Sequence, residues 1–484
     1  MSNQQREGEL GEIDSGKGID YKVVRELPET DDELKHYLDM LQDIKAFESE
    51  MTKLPEQAPS GIRRGTSRNM SRHKEKLLRW QVVRETRHIR AITNYFTVVK
   101  KNGTLRLVVD ARKINALMKK VPKMDLPTIQ EVLLLLMTNK YFIVVDGRSY
   151  FYQFRIADEV GELFCANLAA ERGPFTTVAL TRMPMGWNWA PAIAQKMSNT
   201  LLRDGERELG KAWIDNFIFG GRTKEEVWEK FLKFRARADL CNMVIDEREP
   251  PVLQRGEVLG IEVDLEKARY RMAESWVKKA QALPIRTYMT PREIYELSGN
   301  CIWASYVREM PLCQFGESIE VVRRVAVLIQ GGLDWDTPLL ITREELDALG
   351  RWKACVGANE WQTLPTRPCP TEDIWTDASS HMWAFTNLDD KRDQGVFDKD
   401  QLLWHIFIKE AYAVHRSVQV ARGTPRTYRV DNLPLVLAMK RKVSSNKLVN
   451  SWMSSWDWEN ISVEWVPTTE QKADKYTRGT TMGI

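Results

Sequence analysis

Two stretches decide how this chain reads: Tyr141-Phe142-Ile143-Val144-Val145-Asp146 and Ala212-Trp213-Ile214-Asp215-Asn216-Phe217-Ile218-Phe219-Gly220. Each is a β-branched and aromatic run interrupted by a carboxylate, the composition of a buried strand. An uncompensated charge in such a strand is costly. Side by side, the two strands bring Asp146 and Asp215 together, where like charges repel. Something positive belongs between them, and a pair of Mg²⁺ ions suits an all-oxygen donor set. Either Asp alone reads as well as a helix cap or a loop residue; the chain between them decides the matter.

That intervening chain has a definite order. After Asp146 comes Gly147-Arg148-Ser149-Tyr150-Phe151-Tyr152-Gln153-Phe154-Arg155-Ile156, an alternation with one apolar and one polar face. Two further strands are expected near 162–168 and 175–181. Arg182-Met183-Pro184-Met185-Gly186-Trp187-Asn188-Trp189-Ala190-Pro191 is a loop, with Pro191 placed where a helix begins. That helix runs to about Arg203, and another spans about 223–241. Upstream, Tyr95–Asp110 reads as a hairpin turning at Asn102-Gly103, with Lys100 and Lys101 before the turn and Arg106 after it. Clustered cations on a hairpin suit a triphosphate, although a solvated hairpin tip explains them equally well. Asp110 and Arg112 are placed to pair, and Thr128 to cap a helix over 127–139.

The chain has 484 residues, 43% of them hydrophobic and 29% charged, enough to bury several cores. The net charge of +4 hides an uneven distribution. Residues 1–60 carry 15 acidic and 7 basic side chains, and residues 62–90 carry ten Lys or Arg against two Glu. An acidic arm followed by a basic, polyanion-facing stretch is one reading; a solvated helix and linker is the other. The six Cys lack any CxxC spacing, which argues for a reducing compartment and against a zinc knuckle or disulfide framework. No apolar run spans a membrane and the N-terminus has no leader character, so an intracellular protein, cytoplasmic or nuclear, is expected. Residues 1–30 read as disordered, 31–54 as a helix capped near Asp31, 55–70 as a linker and 71–90 as a basic helix. Asp14-Ser15-Gly16 has polar flanks, which excludes an aspartic-protease loop.

In this order the motifs resemble the reverse transcriptase–RNase H region of retroelements. The segment KKNGTLRLVVDARKIN resembles the fingers motif, and VVDGRSYFYQFRI the motif carrying the first catalytic Asp. MPMGWNWAPAIAQ resembles the nucleotide-contacting loop, WIDNFIFGG the Tyr-x-Asp-Asp hairpin, VLGIEV the primer grip, and residues 290–312 the thumb of long-terminal-repeat retrotransposons. The resemblance implies an α+β chain. A right-hand polymerase with fingers, a ferredoxin-like palm and a thumb precedes a connection and an RNase H-like α/β domain. The implied divisions are an acidic extension at 1–60, fingers and palm at 61–263, thumb at 264–330, connection at 331–370 and RNase H at 371–484. It further implies Asp146 and Asp215 as metal ligands, Lys100, Lys101 and Arg106 on the triphosphate, Phe151 as sugar gate, and Met185 and Gly186 beside the nascent base pair. The family's second hairpin Asp is here Asn216, and its Tyr is Trp213. Asn keeps an oxygen but removes a charge, so lowered rather than abolished activity is expected. The alternative is a domesticated nucleic-acid-binding protein with a weakened or inactive polymerase site. No protease or integrase signature is present, pointing to a processed fragment or a tyrosine-recombinase element of the DIRS/VIPER type.

The C-terminal third carries four acids in the order Asp, Glu, Asp, Asp: Asp377 and Asp431 at strand ends, Glu410 on a helix and Asp474 at a helix start. This resembles an RNase H active site, which implies two Mg²⁺ or Mn²⁺ per site. The implied partners are an RNA template, a DNA primer, RNA–DNA hybrid and dNTPs. The family's His before the last Asp is missing; Glu470 is expected to substitute in part. Of the Trp residues at 452–465, most are expected in the core.

Overall fold

The computed structural model describes residues 8–56, 68–169, 175–364 and 369–479. The chain divides into two compact units, Met1–Arg255 and Gly256–Ile484, and the fold of both is α+β.

In the first unit, Tyr141–Asp146 and Asn216–Gly221 pair antiparallel, with the short strand Lys211–Trp213 on the outer side of the second. The free edge of Tyr141–Asp146 is met by residues 245–253 through the isolated bridges Phe142↔Leu253 and Gly147↔Ile245. The helices expected from sequence back this sheet. Ile129–Met137 begins at a Thr128/Glu131 capping box, and Lys224–Leu240 begins at Thr223. Ala190–Leu201 carries Pro191 in its first turn. Phe217 and Phe219 meet Phe234 at ring-centroid distances of 4.6 and 5.2 Å, sealing strand to helix. The hairpin Asn94–Val99/Leu105–Asp110 forms as read, and Asp110 pairs with Arg112 at 2.8 Å. Cys165–Ala169 and Phe175–Leu180 form the two further strands.

Three local readings are corrected. The alternation after Asp146 is no strand: Tyr150–Gln153 is a 3₁₀ turn, entered through Ser149 at φ 43°. Its aromatic rings reach the core by winding, as Tyr150 against Phe154 and Phe217. The basic helix stops at Arg79, because Gln81 turns left-handed (φ 58°) and Val83–Glu85 joins the sheet of 165–180. Residues 8–30, expected to be disordered, are ordered, with Ile19, Tyr21 and Val24 buried; residues 1–7 lie outside the described set. Helices Asp32–Gln42 and Ile44–Ser49 then dock Tyr37 and Phe47 on Trp189 and Trp187. Most of the 55–70 linker also falls outside the described residues.

In the second unit, helices Pro291–Val307, Gly316–Gln330 and Arg343–Gly357 pack together, with Trp352 stacked on Phe315 and bonded to Ser305. The 330/331 boundary drawn between thumb and connection therefore runs through one packed helical block. Beyond it, five strands lie in the order 392–396, 382–387, 372–378, 426–430, 461–465. The last three are parallel, and helix Ile406–Ala421 covers the sheet. Arg426 and Asp457 form an ion pair at 2.8 Å within that core. Trp456 and Trp458 are buried as expected, whereas Trp465 is half exposed. All six cysteines are free.

Candidate active sites

The register of the first sheet sets Asn216 directly opposite Asp146. Asp215 precedes Asn216 in the tight turn that joins 211–213 to 216–221, and its carbonyl accepts the Gly147 N–H at 2.7 Å. The turn requires Ile214 at φ 57°, a conformation that a β-branched residue avoids, at a cost of about 1–3 kcal/mol. Helix 190–201 holds it there. Gln195 accepts from the Ile214 N–H at 2.6 Å and donates to the Ala212 carbonyl at 2.9 Å, and Ser198 donates to the Ile214 carbonyl at 2.5 Å.

A third acid, absent from the sequence reading, joins the pair. The Asp246 N–H donates to the Asp146 carbonyl at 2.8 Å, beside the bridge Gly147↔Ile245. The cleft walls, then the like charges of Asp215 and Asp246, push the Asp146 carboxyl up to about 6. Burial also raises Asp215; the Arg106 guanidinium offsets part of this and Asp246 adds to it. The Asn216 Oδ1 is buried without a hydrogen-bond partner. The two raised carboxyls that line the cleft, Asp146 and Asp215, are oxygen donors of the kind that suits a hard divalent cation.

The cleft, about 600 Å³, is lined by Asp146, Asp215 and Asp246 and also by Lys100, Arg106, Phe151, Met185 and Arg148. Lys101 and Gly186 do not line it. Lys101 is exposed on the hairpin turn. Gly186, at φ 115°, packs so closely on the hairpin that a Cβ would lie 1.9 Å from the Val109 carbonyl oxygen. Its requirement for glycine is therefore backbone packing. Arg148 joins the lining without a role implied by the motifs; its signal in the sequence is a cation two residues past Asp146.

In the second unit, Asp377 sits near the end of strand Glu372–Ala378, Glu410 in the second turn of helix 406–421, and Asp431 one residue past strand Arg426–Val430. Each contributes one oxygen to a set lying within 4.8 Å of one another. Burial, then Asp377 and Asp431, raise Glu410 well above the usual carboxylate range. Asp377 is pushed up to about 6, chiefly by burial, although Thr477 Oγ1 donates to its Oδ2 at 2.7 Å. Glu410 Oε2 and Asp431 Oδ1 are buried and unpartnered. Asp474 stands outside the trio, paired with Arg478 at 2.7 Å, yet its charge raises both Asp377 and Asp431. Thr468 and Gln471 support the Asp431 carboxylate, and Glu470 lines a cleft with Trp375, Gln471 and Lys472. Among the described residues no helix is long and apolar enough to cross a membrane.

No family model matches the chain. Over 167 residues, 34% of the chain, it is 27% identical to the transposon Tf2-7 and Tf2-8 polyproteins of Schizosaccharomyces pombe. The chain spans about 12% of the length of these curated relatives. Among solved structures it is similar to a foamy viral protease-reverse transcriptase in complex with RNA/DNA hybrid. That likeness has a TM-score of 0.49 at 15% identity and covers 93% of this chain and 62% of the other. The same viral protein in complex with dsDNA gives a TM-score of 0.47, covering 93% and 96%. Over about a third of its length, then, the chain is similar to retrotransposon polyproteins.

Proposed function

We propose that this chain is an RNA-directed DNA polymerase with a linked RNase H, acting on an RNA template, a DNA primer, dNTPs and RNA–DNA hybrid inside the cell. The observation that carries the reading is Asp146 paired across the sheet with the Asp215–Asn216 turn, above a cleft that also holds Lys100, Arg106 and Phe151. Asp146 and Asp215 would hold the polymerase metals, and Asp377, Glu410, Asp431 and Asp474 those of the nuclease. When bound, two Mg²⁺ or Mn²⁺ per site acidify the attacking oxygen and neutralise the leaving one.

The side chains supply the rest. Lys100 and Arg106 bind and orient the β- and γ-phosphates. Phe151 crowds a ribose 2′-OH and so selects deoxynucleotides, while Met185 lines the nascent base pair. Gln195 and Ser198 fix the turn that aims Asp215. In the nuclease site, Thr477 fixes one Asp377 oxygen and leaves the other for a cation.

The test is a paired assay on the purified chain: extension of a DNA primer on RNA, and cleavage of a labelled RNA–DNA hybrid, each with Mg²⁺ and with Mn²⁺. Both activities are expected. Cleavage without extension under either metal would leave the polymerase half as a binding scaffold, the reading that Asn216 motivates.

A further inference from the structure

The acidic N-terminal segment crosses the cleft just described. Leu105 in the fingers hairpin donates its N–H to the Glu9 carbonyl, and Gly11 donates to the Leu105 carbonyl, both at 2.9 Å. Residues 9–11 thus add a short parallel edge to that hairpin, with Leu10 and Leu105 both buried. Gly11 lies against the amine of Lys100: a Cβ there would stand 2.9 Å from Nζ and 3.1 Å from Thr104 Oγ1. The chain continues along the cleft wall through Glu12 and Ile13 to Asp14, whose Oδ2 lies 2.9 Å from the Arg148 guanidinium. Arg148 reaches in the other direction to the Asp246 carboxylate at 3.4 Å and its carbonyl at 3.0 Å. Two cations of the cleft, Lys100 and Arg148, are therefore covered by one strand of acidic chain.

The anchoring of this strand is uneven. From Ile19 onward it is fixed: the Ile19 and Asp20 N–H groups bond the Gln153 and Cys241 carbonyls at 2.8 Å, and Tyr21 is buried. Between Glu9 and Asp14 it is held by two edge hydrogen bonds, the buried Leu10 and Ile13 side chains and solvent-exposed ion pairs, the last individually weak and screened by salt. A nucleoside triphosphate presents several charges and many acceptor oxygens to the same cations and suits a guanidinium fork better than one carboxylate.

Resting on the polymerase reading, we propose that Arg148 is a further triphosphate-binding residue, and that Glu9–Asp14 is an acidic strap competing with the incoming nucleotide for it. Asp14 stands in for a phosphate oxygen. Nucleotide binding releases the strap from Arg148 and from the edge of the hairpin.

The experiment uses the full chain with dTTP and Ca²⁺, which permits binding without turnover. Affinity is read by calorimetry, and hydrogen exchange is followed over residues 8–16 and 100–108. Asp14→Asn is expected to tighten dTTP by about two- to fivefold. Arg148→Gln is expected to weaken it and to abolish the effect of the Asp14 substitution. Saturating dTTP should increase exchange at the Gly11 and Leu105 amides of the wild type. Unchanged exchange together with equal dTTP affinity in wild type and Asp14→Asn would overturn the strap while leaving the polymerase reading intact. A wild type and an Asp14→Asn variant that both bind no dTTP would overturn both.

Discussion

The two carboxylate clusters solve one electrostatic problem differently. In the second unit, three acids converge within 4.8 Å in a largely buried setting, and two of their oxygens lack a hydrogen-bond partner among the described residues. In the first, Asp146 and Asp215 open into a wide cleft where Arg106 lowers the cost of ionising Asp215, and Asn216 removes one charge. The proposed nuclease site is built as a compact anionic cluster. The proposed polymerase site shares its charge balance with the side chains of Arg106, Lys100 and Arg148 that line the same cleft. Affinity for a divalent ion should therefore be intrinsic to the Asp377–Glu410–Asp431 cluster and substrate-assisted at Asp146 and Asp215.

The sharpest way to break this contrast is reciprocal substitution. Asp377→Asn should lower hybrid cleavage by at least about a hundredfold and spare primer extension, and Asp215→Asn should do the reverse. Loss of both activities from either change would show that the sites do not act separately. Next, Gln195→Ala should release the Ile214 turn, cutting extension about tenfold with about 1–2 kcal/mol lost from the first unit's stability, as read by primer assay and urea melt.

pH sharpens the same comparison. Asp377, Glu410, Asp146 and Asp215 all have folded-state values raised above those of an unfolded chain. Groups of this kind favour the folded state while protonated, so metal-free stability should fall as pH rises from about 4 through the value of about 6 reached by Asp377 and Asp146. Mn²⁺ should restore it at pH 8 and do little at pH 5, since protons compete for the same oxygens. A melting temperature flat from pH 4 to 8 without metal would refute the clustered-charge account. The smallest expected effect is a gain: Asn216→Asp should raise extension severalfold at limiting Mg²⁺ and leave cleavage unchanged, checked by titrating metal in both assays.

Much of this was legible in the chain because local rules and tertiary demands agree. Strands with one acid at the end were read from Tyr141–Asp146 and Ile374–Asp377, and the Thr128 cap read from sequence starts its helix. The misreadings have a common cause. Tyr150–Gln153 alternates like a strand, yet burial of its rings is met by a tight turn. Residues 8–30 are polar, but a few apolar anchors and backbone pairing to a hairpin edge suffice to order them. Asp246 carries no spacing signal at all; only the pairing of Ile245 with Gly147 brings it beside Asp146.

The left-handed Ile214 has a consequence for how such a molecule can change. A two-residue elbow that its own side chain disfavours cannot be transplanted as a cassette; its shape is on loan from the helix carrying Gln195 and Ser198. Hairpin and helix should therefore drift together between related elements, and a chimera that inherits one without the other should carry its aspartate on a slack hinge.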